Sequence, residues 1–336
     1  MTTLQHEREL TLPAGQLLDV RVNSARREAE SITSYELGRT DGGPLPAWAP
    51  GAHVDVHLPS GTVRQYSVCG DPADATTYRI AVLELPEGRG GSLEVHRELR
   101  PGRILSIGAP RQNFSLADAG EYVFVAGGIG ITPLLPMIHQ VQQRGLPWKL
   151  VYGARTAEHF AFLGELASLR APSLQLYAQD TDGHPDLAAV VRDNPAAAVY
   201  TCGPAGLMDA LSTHMAAAGR LHQLHLERFA PAAPPVDGPE DSPSGAVTES
   251  FEVELERTGT VITVGPNESV LDAVRAAGVQ HPSSCEMGFC GTCEVKVLCG
   301  KVDHRDDLLT ETERENGNSM MICVSRSASP RLVLDL

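Results

Sequence analysis

Four cysteines near the C-terminus have the chemistry and the spacing needed to hold an iron–sulfur cluster. Cys285, Cys290 and Cys293 follow the pattern C-x4-C-x2-C, and Cys323 comes after 29 intervening residues. This is the spacing of the plant-type [2Fe–2S] ligand set, in which one loop supplies three thiolates and a distant segment supplies the fourth. The sequence therefore predicts these four cysteines as metal ligands.

Two other interpretations of the cysteines are weaker. A structural zinc site usually takes two C-x2-C pairs or histidines at fixed spacing, and neither pattern is present. Cys299 is an alternative fourth ligand, but it follows Cys293 by only six residues and precedes Gly300 in a predicted turn. Gly288 and Gly291 would let the loop backbone approach the inorganic sulfurs, where N–H groups stabilise a negative cluster.

A second set of candidates begins with an R-x-Y-S motif on a predicted strand. An arginine can pair with a phosphate, a tyrosine ring can stack, and a serine hydroxyl can bond to a ring nitrogen. The G-G-S segment that follows can offer backbone N–H groups to phosphate oxygens. Taken alone, the motif also fits an ordinary amphipathic barrel strand. The candidates are Arg64, Gln65, Tyr66, Ser67, Gly90, Gly91 and Ser92.

A buried strand, a glycine turn and a helix start form the third motif. Thr132 is predicted as the helix N-cap and Pro133 as its first residue. A helix N-terminus lined by glycines suits a pyrophosphate, although a tight turn without ligand is the alternative. The pattern departs from G-x-G-x-x-G. The candidate dinucleotide-binding residues from this pattern are Gly127, Gly128, Gly130, Thr132 and Arg155.

Charge decides the expected nucleotide. NADPH needs cations for its 2′-phosphate, and the segment after the second predicted strand offers only Arg155, with Glu158 close by. We therefore expect NADH.

Segments of different composition divide the 336 residues into domains. Residues 15–115 alternate in short strands and predict an antiparallel β-barrel. Residues 116–230 alternate strands with helices and predict a parallel α/β sheet. A proline-rich, acidic linker at 231–249 precedes the cysteine-rich domain at 250–336. Helices are predicted over residues 134–144, 161–169 and 206–218.

The formal net charge of −15 excludes nucleic acid and anionic membranes as expected partners and favours a basic docking site on another protein. The N-terminus lacks the apolar core of a secretion signal. The longest apolar-rich run, residues 122–138, is interrupted by glycines and prolines. We expect a cytoplasmic monomer. The histidines are interpreted as surface or packing residues, notably His53, His57, His139 and His304.

The order of the motifs resembles the ferredoxin–NADP reductase superfamily. The segment R-Q-Y-S-V-C-G is most similar to its phthalate dioxygenase reductase branch, which includes vanillate demethylase reductases. Residues 250–336 resemble a plant-type ferredoxin domain, which implies an α+β (β-grasp) fold. The fold class implied is multidomain, with a β-barrel flavin domain, an α/β nucleotide domain and this ferredoxin domain.

The resemblance also implies cofactors and roles. The branch uses FMN, so Tyr66 and Ser67 would flank the isoalloxazine, and Arg64 with the glycine turn at 90–92 would hold the phosphate. In the family a C-G-P segment, here Cys202, Gly203 and Pro204 followed by a predicted helix through Met208, binds beside the nicotinamide, so Cys202 would lie near the hydride path. Phe229 would belong to the same dinucleotide-binding set. An aromatic residue near position 229 covers the flavin in relatives, which makes Phe229 a candidate, and the expected catalytic residues are thus Ser67, Cys202 and Phe229.

The implied function is an NADH-dependent reductase component that passes electrons through FMN and [2Fe–2S] to a terminal oxygenase of the Rieske type. Two alternatives stay open. The acceptor could instead be a haem–thiolate monooxygenase, or the chain could be a redox-sensing electron-storage module with a vestigial nucleotide site.

Overall fold

The structure, a computed structural model, describes residues 16–87, 90–169, 174–229, 250–283, 286–288, 291–306 and 308–336. The chain forms two compact units, Met1–Phe229 and Ala230–Leu336. The predicted linker at 231–249 lies outside the described residues. Within the described ranges, no helix combines the length and apolar character needed to cross a bilayer.

The first unit begins with an antiparallel sheet and one helix. Its elements are β1 (Leu18–Ala29), β2 (Ile32–Arg39), β3 (Ala52–His57), β4 (Val63–Ser67), β5 (Tyr78–Leu83), α1 (Gly91–Glu98), β6 (Ile104–Ile107) and β7 (Arg111–Gln112). The strand order is β4-β3-β6-β1-β2-β5, with β7 paired to β3. Alternate residues face the core, so Val54 and Val56 of β3 pack with Val20 and Val22 of β1.

A parallel sheet with helices follows. Its elements are β8 (Tyr122–Gly127), α2 (Ile131–Gln143), β9 (Trp148–Ala154), α3 (Leu163–Ser168), β10 (Leu174–Ala178), α4 (Gln179–Asp182), α5 (Leu187–Arg192), β11 (Ala198–Cys202), α6 (Ala205–Ala217) and β12 (Leu224–Glu227). The order is β10-β9-β8-β11-β12, with every pair parallel. Phe124 of β8 lies in one core, whereas Val123 and Val125 lie in another. Two buried faces explain the continuous apolar run.

The helix after the glycine turn starts two residues before its predicted first residue, Pro133. α2 begins at Ile131, so the predictions of Thr132 as N-cap and Pro133 as first residue are wrong. A 3-10 turn at Gly128–Gly130 runs directly into the helix, and Thr132 Oγ1 donates to the carbonyl of Ile129 at 3.0 Å. Pro133 is tolerated because the first four N–H groups of a helix have no intrahelical acceptor. The other two predicted helices are observed as α3 and α6, within two residues at each end.

The second unit has its own sheet. Its elements are β13 (Phe251–Leu255), β14 (Thr260–Val264), α7 (Val270–Ala276), β15 (Glu294–Cys299), β16 (Val302–Asp303), α8 (Glu311–Asn316), β17 (Ser319–Met321), β18 (Arg326–Ser327) and β19 (Arg331–Leu334). The order is β14-β13-β19-β15-β17, and only the β13–β19 pair in this sheet is parallel among the described residues. α7 is capped at its N-terminus by Ser269, whose Oγ accepts from Asp272 N at 3.0 Å. Leu271 and Val274 enter the core.

Candidate functional site

The R-x-Y-S motif lies on β4, which pairs with β3. Alternation along the strand places Arg64 and Tyr66 on one face of the sheet and Gln65 and Ser67 on the other. Ser67 is buried and lies directly opposite His53, which is also buried. Tyr66 packs against the apolar core of the sheet, and burial raises the pKa of its hydroxyl above the ordinary value. The motif therefore presents one cation and one neutral ring on the same face.

Arg64 meets the start of α1. The helix begins at Gly91, after Gly90 with a φ of +80°. A Cβ on Gly91 would lie 2.4 Å from Arg64 Nε, so glycine lets the guanidinium lie against the first helical turn. The free N–H groups of that turn and the arginine together suit a phosphate. Ser92 Oγ accepts from Leu85 N at 3.1 Å and so fixes the preceding loop.

The glycine turn packs directly on the C-G-P segment, because β8 and β11 are neighbours. A Cβ on Gly127 would lie 2.4 Å from Pro204 Cδ, and one on Gly203 would lie 2.8 Å from Gly127 Cα. A Cβ on Gly130 would lie only 2.2 Å from the carbonyl oxygen of Cys202. Backbone approaches this close admit only glycine. The structure thus brings the two predicted nucleotide segments together.

An unpredicted carboxyl group lies beside Cys202. Cys202 and Glu227 are register partners on β11 and β12. The thiol is fully buried, which raises its pKa. Oε2 of Glu227 is inaccessible and has no hydrogen-bond partner within the described residues, and burial raises the pKa of this carboxyl to about 8. The sequence signal for Glu227 was an acidic residue ending a strand next to the C-G-P strand.

The remaining nucleotide candidates are dispersed. Met208 is buried on α6, whereas Phe229 is partly exposed and ends the described part of the first unit. Its neighbour Arg228 is anchored to α6, with Nη2 donating to Asp209 Oδ1 at 2.6 Å. Arg155 lies just after β9, exposed, and its side chain makes no hydrogen bond or ion pair with the described residues.

Two of the predicted cluster ligands are neighbours. The Sγ atoms of Cys293 and Cys323 are 3.1 Å apart, and both residues are buried. Cys285 and Cys290 lie outside the described residues. Cys299 is exposed at the far end of β15, and five strand steps carry it about 17 Å from the start of that strand. The geometry therefore groups Cys293 with Cys323, and paired thiols fit an iron–sulfur ligand set.

The ligand loop has support that the sequence did not reveal. A Cβ on Gly288, whose φ is +81°, would lie 2.7 Å from Val324 Cγ2. The Asp306 carboxylate is buried and accepts from Leu309 N at 2.9 Å and Ser325 Oγ at 3.2 Å. Asp306 therefore holds the segment that follows the fourth cysteine.

Two segments of the chain match known domain families. Residues 253–328 match the 2Fe-2S iron-sulfur cluster binding domain, and residues 124–213 match the oxidoreductase NAD-binding domain. The chain is therefore an oxidoreductase that joins a nucleotide-binding module to a ferredoxin domain.

Full-length similarities narrow this class. The reductase subunit of tert-butanol monooxygenase / tert-amyl alcohol desaturase from Aquincola tertiaricarbonis is 40% identical over 330 residues, 95% of this chain and 96% of the relative. A solved structure of phthalate dioxygenase reductase, described as modular for electron transfer from pyridine nucleotides to [2Fe-2S], has a TM-score of 0.68 at 35% identity and covers 95% of this chain and 98% of that one. The chain belongs to the phthalate dioxygenase reductase family, which confirms the predicted resemblance.

A third similarity is to part of a larger protein. The structure of an intact type IV self-sufficient cytochrome P450 monooxygenase matches with a TM-score of 0.83 and 40% identity. The match covers 98% of this chain and 43% of that chain, so the present chain spans less than half of the P450 protein.

Proposed function

We propose that the chain takes hydride from NADH and passes single electrons, through FMN and a [2Fe–2S] cluster, to a terminal oxygenase. The observation that carries this proposal is the close packing of the glycine turn on the C-G-P segment, in a chain that also sets Arg64 against the first turn of α1 and pairs Cys293 with Cys323. Bound flavin supplies conversion of two-electron into one-electron chemistry, and a [2Fe–2S] cluster carries one electron at a time.

The residues of the first unit would bind and orient FMN and NADH. Arg64 and the first turn of α1 would hold the FMN phosphate, with Tyr66 and Ser67 beside the ring. The turn at 127–130 would hold the pyrophosphate of NADH. Because its pKa is about 8, Glu227 keeps its proton at neutral pH and places no negative charge next to Cys202. Phe229 would cover the flavin when nicotinamide is absent.

The second unit would hold the cluster through Cys285, Cys290, Cys293 and Cys323. We infer two finer features of the fold. Closure of the first sheet into a barrel is supported by an antiparallel bridge between Val68 and Ile80, which joins the segment after β4 to β5. A β-grasp fold of the second unit is supported by its mixed sheet and by α7. The division of the first unit near residue 115 and a monomeric state are parts of the same proposal.

Replacing a ligand cysteine tests the route. Cytochrome c should take electrons from the cluster, whereas ferricyanide also takes them from the flavin. We expect Cys290→Ser to abolish NADH-driven cytochrome c reduction and to keep most of the ferricyanide reaction. Cytochrome c reduction at the full rate in this variant would contradict the proposed route. Absorption spectra and cofactor extraction of the parent protein identify flavin and cluster independently.

A second acceptor class has specific support. We propose a Rieske-type oxygenase first, because the family includes phthalate dioxygenase reductase. The match to a self-sufficient P450 favours a haem–thiolate monooxygenase as the second candidate. Reconstitution with each terminal protein distinguishes the two. A redox-storage role instead predicts an unchanged flavin spectrum when NADH is added without oxygen.

A further inference from the structure

Three charged or titratable side chains meet where the antiparallel and parallel sheets of the first unit adjoin. Arg79 on β5 binds Glu165 on α3 with both arms, Nη1 to Oε2 at 2.9 Å and Nη2 to Oε1 at 3.0 Å. His139 on α2 places Nε2 at 2.9 Å from Glu165 Oε1. Burial alone would raise the pKa of Glu165, but His139 and Arg79 lower it to about 2. The carboxylate is therefore charged at every ordinary pH.

Arg79 is also tied to the flavin motif. Its Nη2 donates to the carbonyl of Cys69 at 2.6 Å, two residues after Ser67. Its guanidinium lies 5.0 Å from the ring centroid of Phe162. Phe162 has a φ of +62°, a conformation that bulky residues rarely adopt, and it directly precedes α3. The chain thus accepts backbone strain at the residue whose ring packs on this arginine.

His139 connects the Glu165 carboxylate to the predicted nucleotide-binding turn, because His139 lies on α2 and α2 begins directly after the glycine turn. A cavity of about 300 Å³ opens beside these three side chains and is lined by Pro50, Gly70 and Asp71 from the loops that flank β3 and β4 and by Pro136 and Gln140 from α2. Apolar packing is incomplete at this rim. The apolar core elsewhere keeps the two sheets in contact, but hydrophobic contacts are not directional. The polar contacts beside the cavity are therefore suited to fix the orientation of one sheet relative to the other.

We infer that Glu165 is a positioning residue for hydride transfer, which holds the nucleotide helix α2 and the flavin-motif strand in one orientation by contacting His139 and Arg79 together. This inference rests on the proposed function. Loss of the contact would misplace nicotinamide relative to flavin, and a displacement of about 1 Å can lower a rate roughly a hundredfold. Binding of NADH uses the glycine turn and the C-G-P segment, and so should persist.

The variant Glu165→Gln tests this by anaerobic stopped-flow reduction of the holoprotein. We expect the rate of flavin reduction at saturating NADH to fall about tenfold or more, with the Kd for NADH nearly unchanged. Glu165→Asp keeps the charge and should recover part of the rate. The control Asp193→Asn breaks the exposed pair with Arg192 at the end of α5 and should leave the rate unchanged. An unchanged rate in Glu165→Gln, or an equal loss in rate and in NADH binding, would overturn the inference.

Hydrogen exchange supplies a readout that does not depend on turnover. In Glu165→Gln we expect faster exchange in both residues 68–80 and α2, and no change in Asp193→Asn. Faster exchange confined to α3 would show a local structural role and would also overturn the inference. If NADH fails to reduce the flavin of the parent protein, the proposed function is wrong, whereas the exchange experiment still tests the connection.

Discussion

The two units build their candidate sites in opposite ways. In the second unit, three of the four predicted ligands lie within nine residues, and the fourth, Cys323, is brought to 3.1 Å from Cys293. In the first unit, Gly130 and Cys202 come from separate elements and meet through close backbone approach, and Gly91 likewise leaves space for the side chain of Arg64. The cluster site is thus specified mainly by side-chain chemistry, and the dinucleotide site mainly by the space that glycines leave. Substitutions in the two sites should therefore impair the protein in different ways, through lost ligand atoms in the second unit and through steric clashes in the first.

The largest effect is expected from Cys323→Ser, because a thiolate ligand is lost. NADH-driven cytochrome c reduction should fall by more than about a hundredfold, since even outer-shell partners of a metal can cost that much. Iron and acid-labile sulfide should be lost as well, whereas ferricyanide reduction should persist. The matched control is Cys299→Ser at the exposed end of β15. Cluster loss in the control and retention in Cys323→Ser would reverse the ligand assignment.

The corresponding change in the first unit acts through shape. Gly130→Ala adds a methyl group only 2.2 Å from the Cys202 carbonyl oxygen, so the backbone must move. We expect flavin reduction by NADH to slow by roughly a hundredfold, with cluster content unchanged. Gly206→Ala is the control, because its Cβ would meet nothing within 4 Å. Equal activity of the two variants would show that this close approach is not required.

A smaller effect is expected at Arg64 and the first turn of α1, the proposed binding site of the FMN phosphate. Arg64→Gln removes one charge-assisted contact of about 2 kcal/mol, which corresponds to roughly a thirtyfold loss of FMN affinity. Riboflavin lacks the phosphate, so its affinity should change little. Calorimetric titration of the flavin-free protein with each ligand measures the difference, with Arg100→Gln as control. An unchanged ratio of FMN to riboflavin affinity would place the phosphate elsewhere.

The smallest effect concerns pH. The pKa of Glu227 rises from 4.5 to about 8 on folding because the group is buried. Between these values the folded state holds a proton that the unfolded state has released, so the stability of the first unit should fall as pH rises from about 5 to 8. Glu227→Gln should remove this pH dependence and raise the free energy of unfolding by about 1–3 kcal/mol at pH 8.

Tryptophan fluorescence can follow that unfolding selectively, because both tryptophans, Trp48 and Trp148, lie in the first unit. Denaturation curves at pH 5 and pH 8 are the measurement. Parallel pH dependence in the parent protein and in Glu227→Gln would show that this carboxyl does not titrate abnormally.

The sequence predicted the features that local patterns encode. The apolar run at β8 and the C-x4-C-x2-C spacing are both local. The start of α2 was mispredicted because the capping rule considers only the side chain of Thr132. The glycine residues before it already form a 3-10 turn that continues into the helix. Family resemblance, rather than residue chemistry, supplied the FMN expectation.

The features that escaped prediction are non-local. The Oε2 atom of Glu227 is inaccessible in a strand that lies beside β11, whereas a single acidic residue at a strand end otherwise indicates surface. The carboxylate of Asp306 acquires partners 19 residues away. Spacing also left Cys299 open as a ligand, and only the direction of β15 separates it from Cys293. Burial of a polar group depends on its neighbours in space, which periodicity does not contain.

The shared apolar core of the first unit determines where the chain can be cut. Ile32 and Ala81 from the antiparallel sheet lie in one cluster with Phe124 and Tyr200 from the parallel sheet. A genetic break near residue 115 would expose this cluster to water on both fragments. Among the described residues, the core of the second unit draws on those from Phe251 onward. Recombination within 231–249 would therefore transfer the second unit between proteins as an intact electron-transfer domain. The flavin and nucleotide parts of the first unit share one core and must be inherited together.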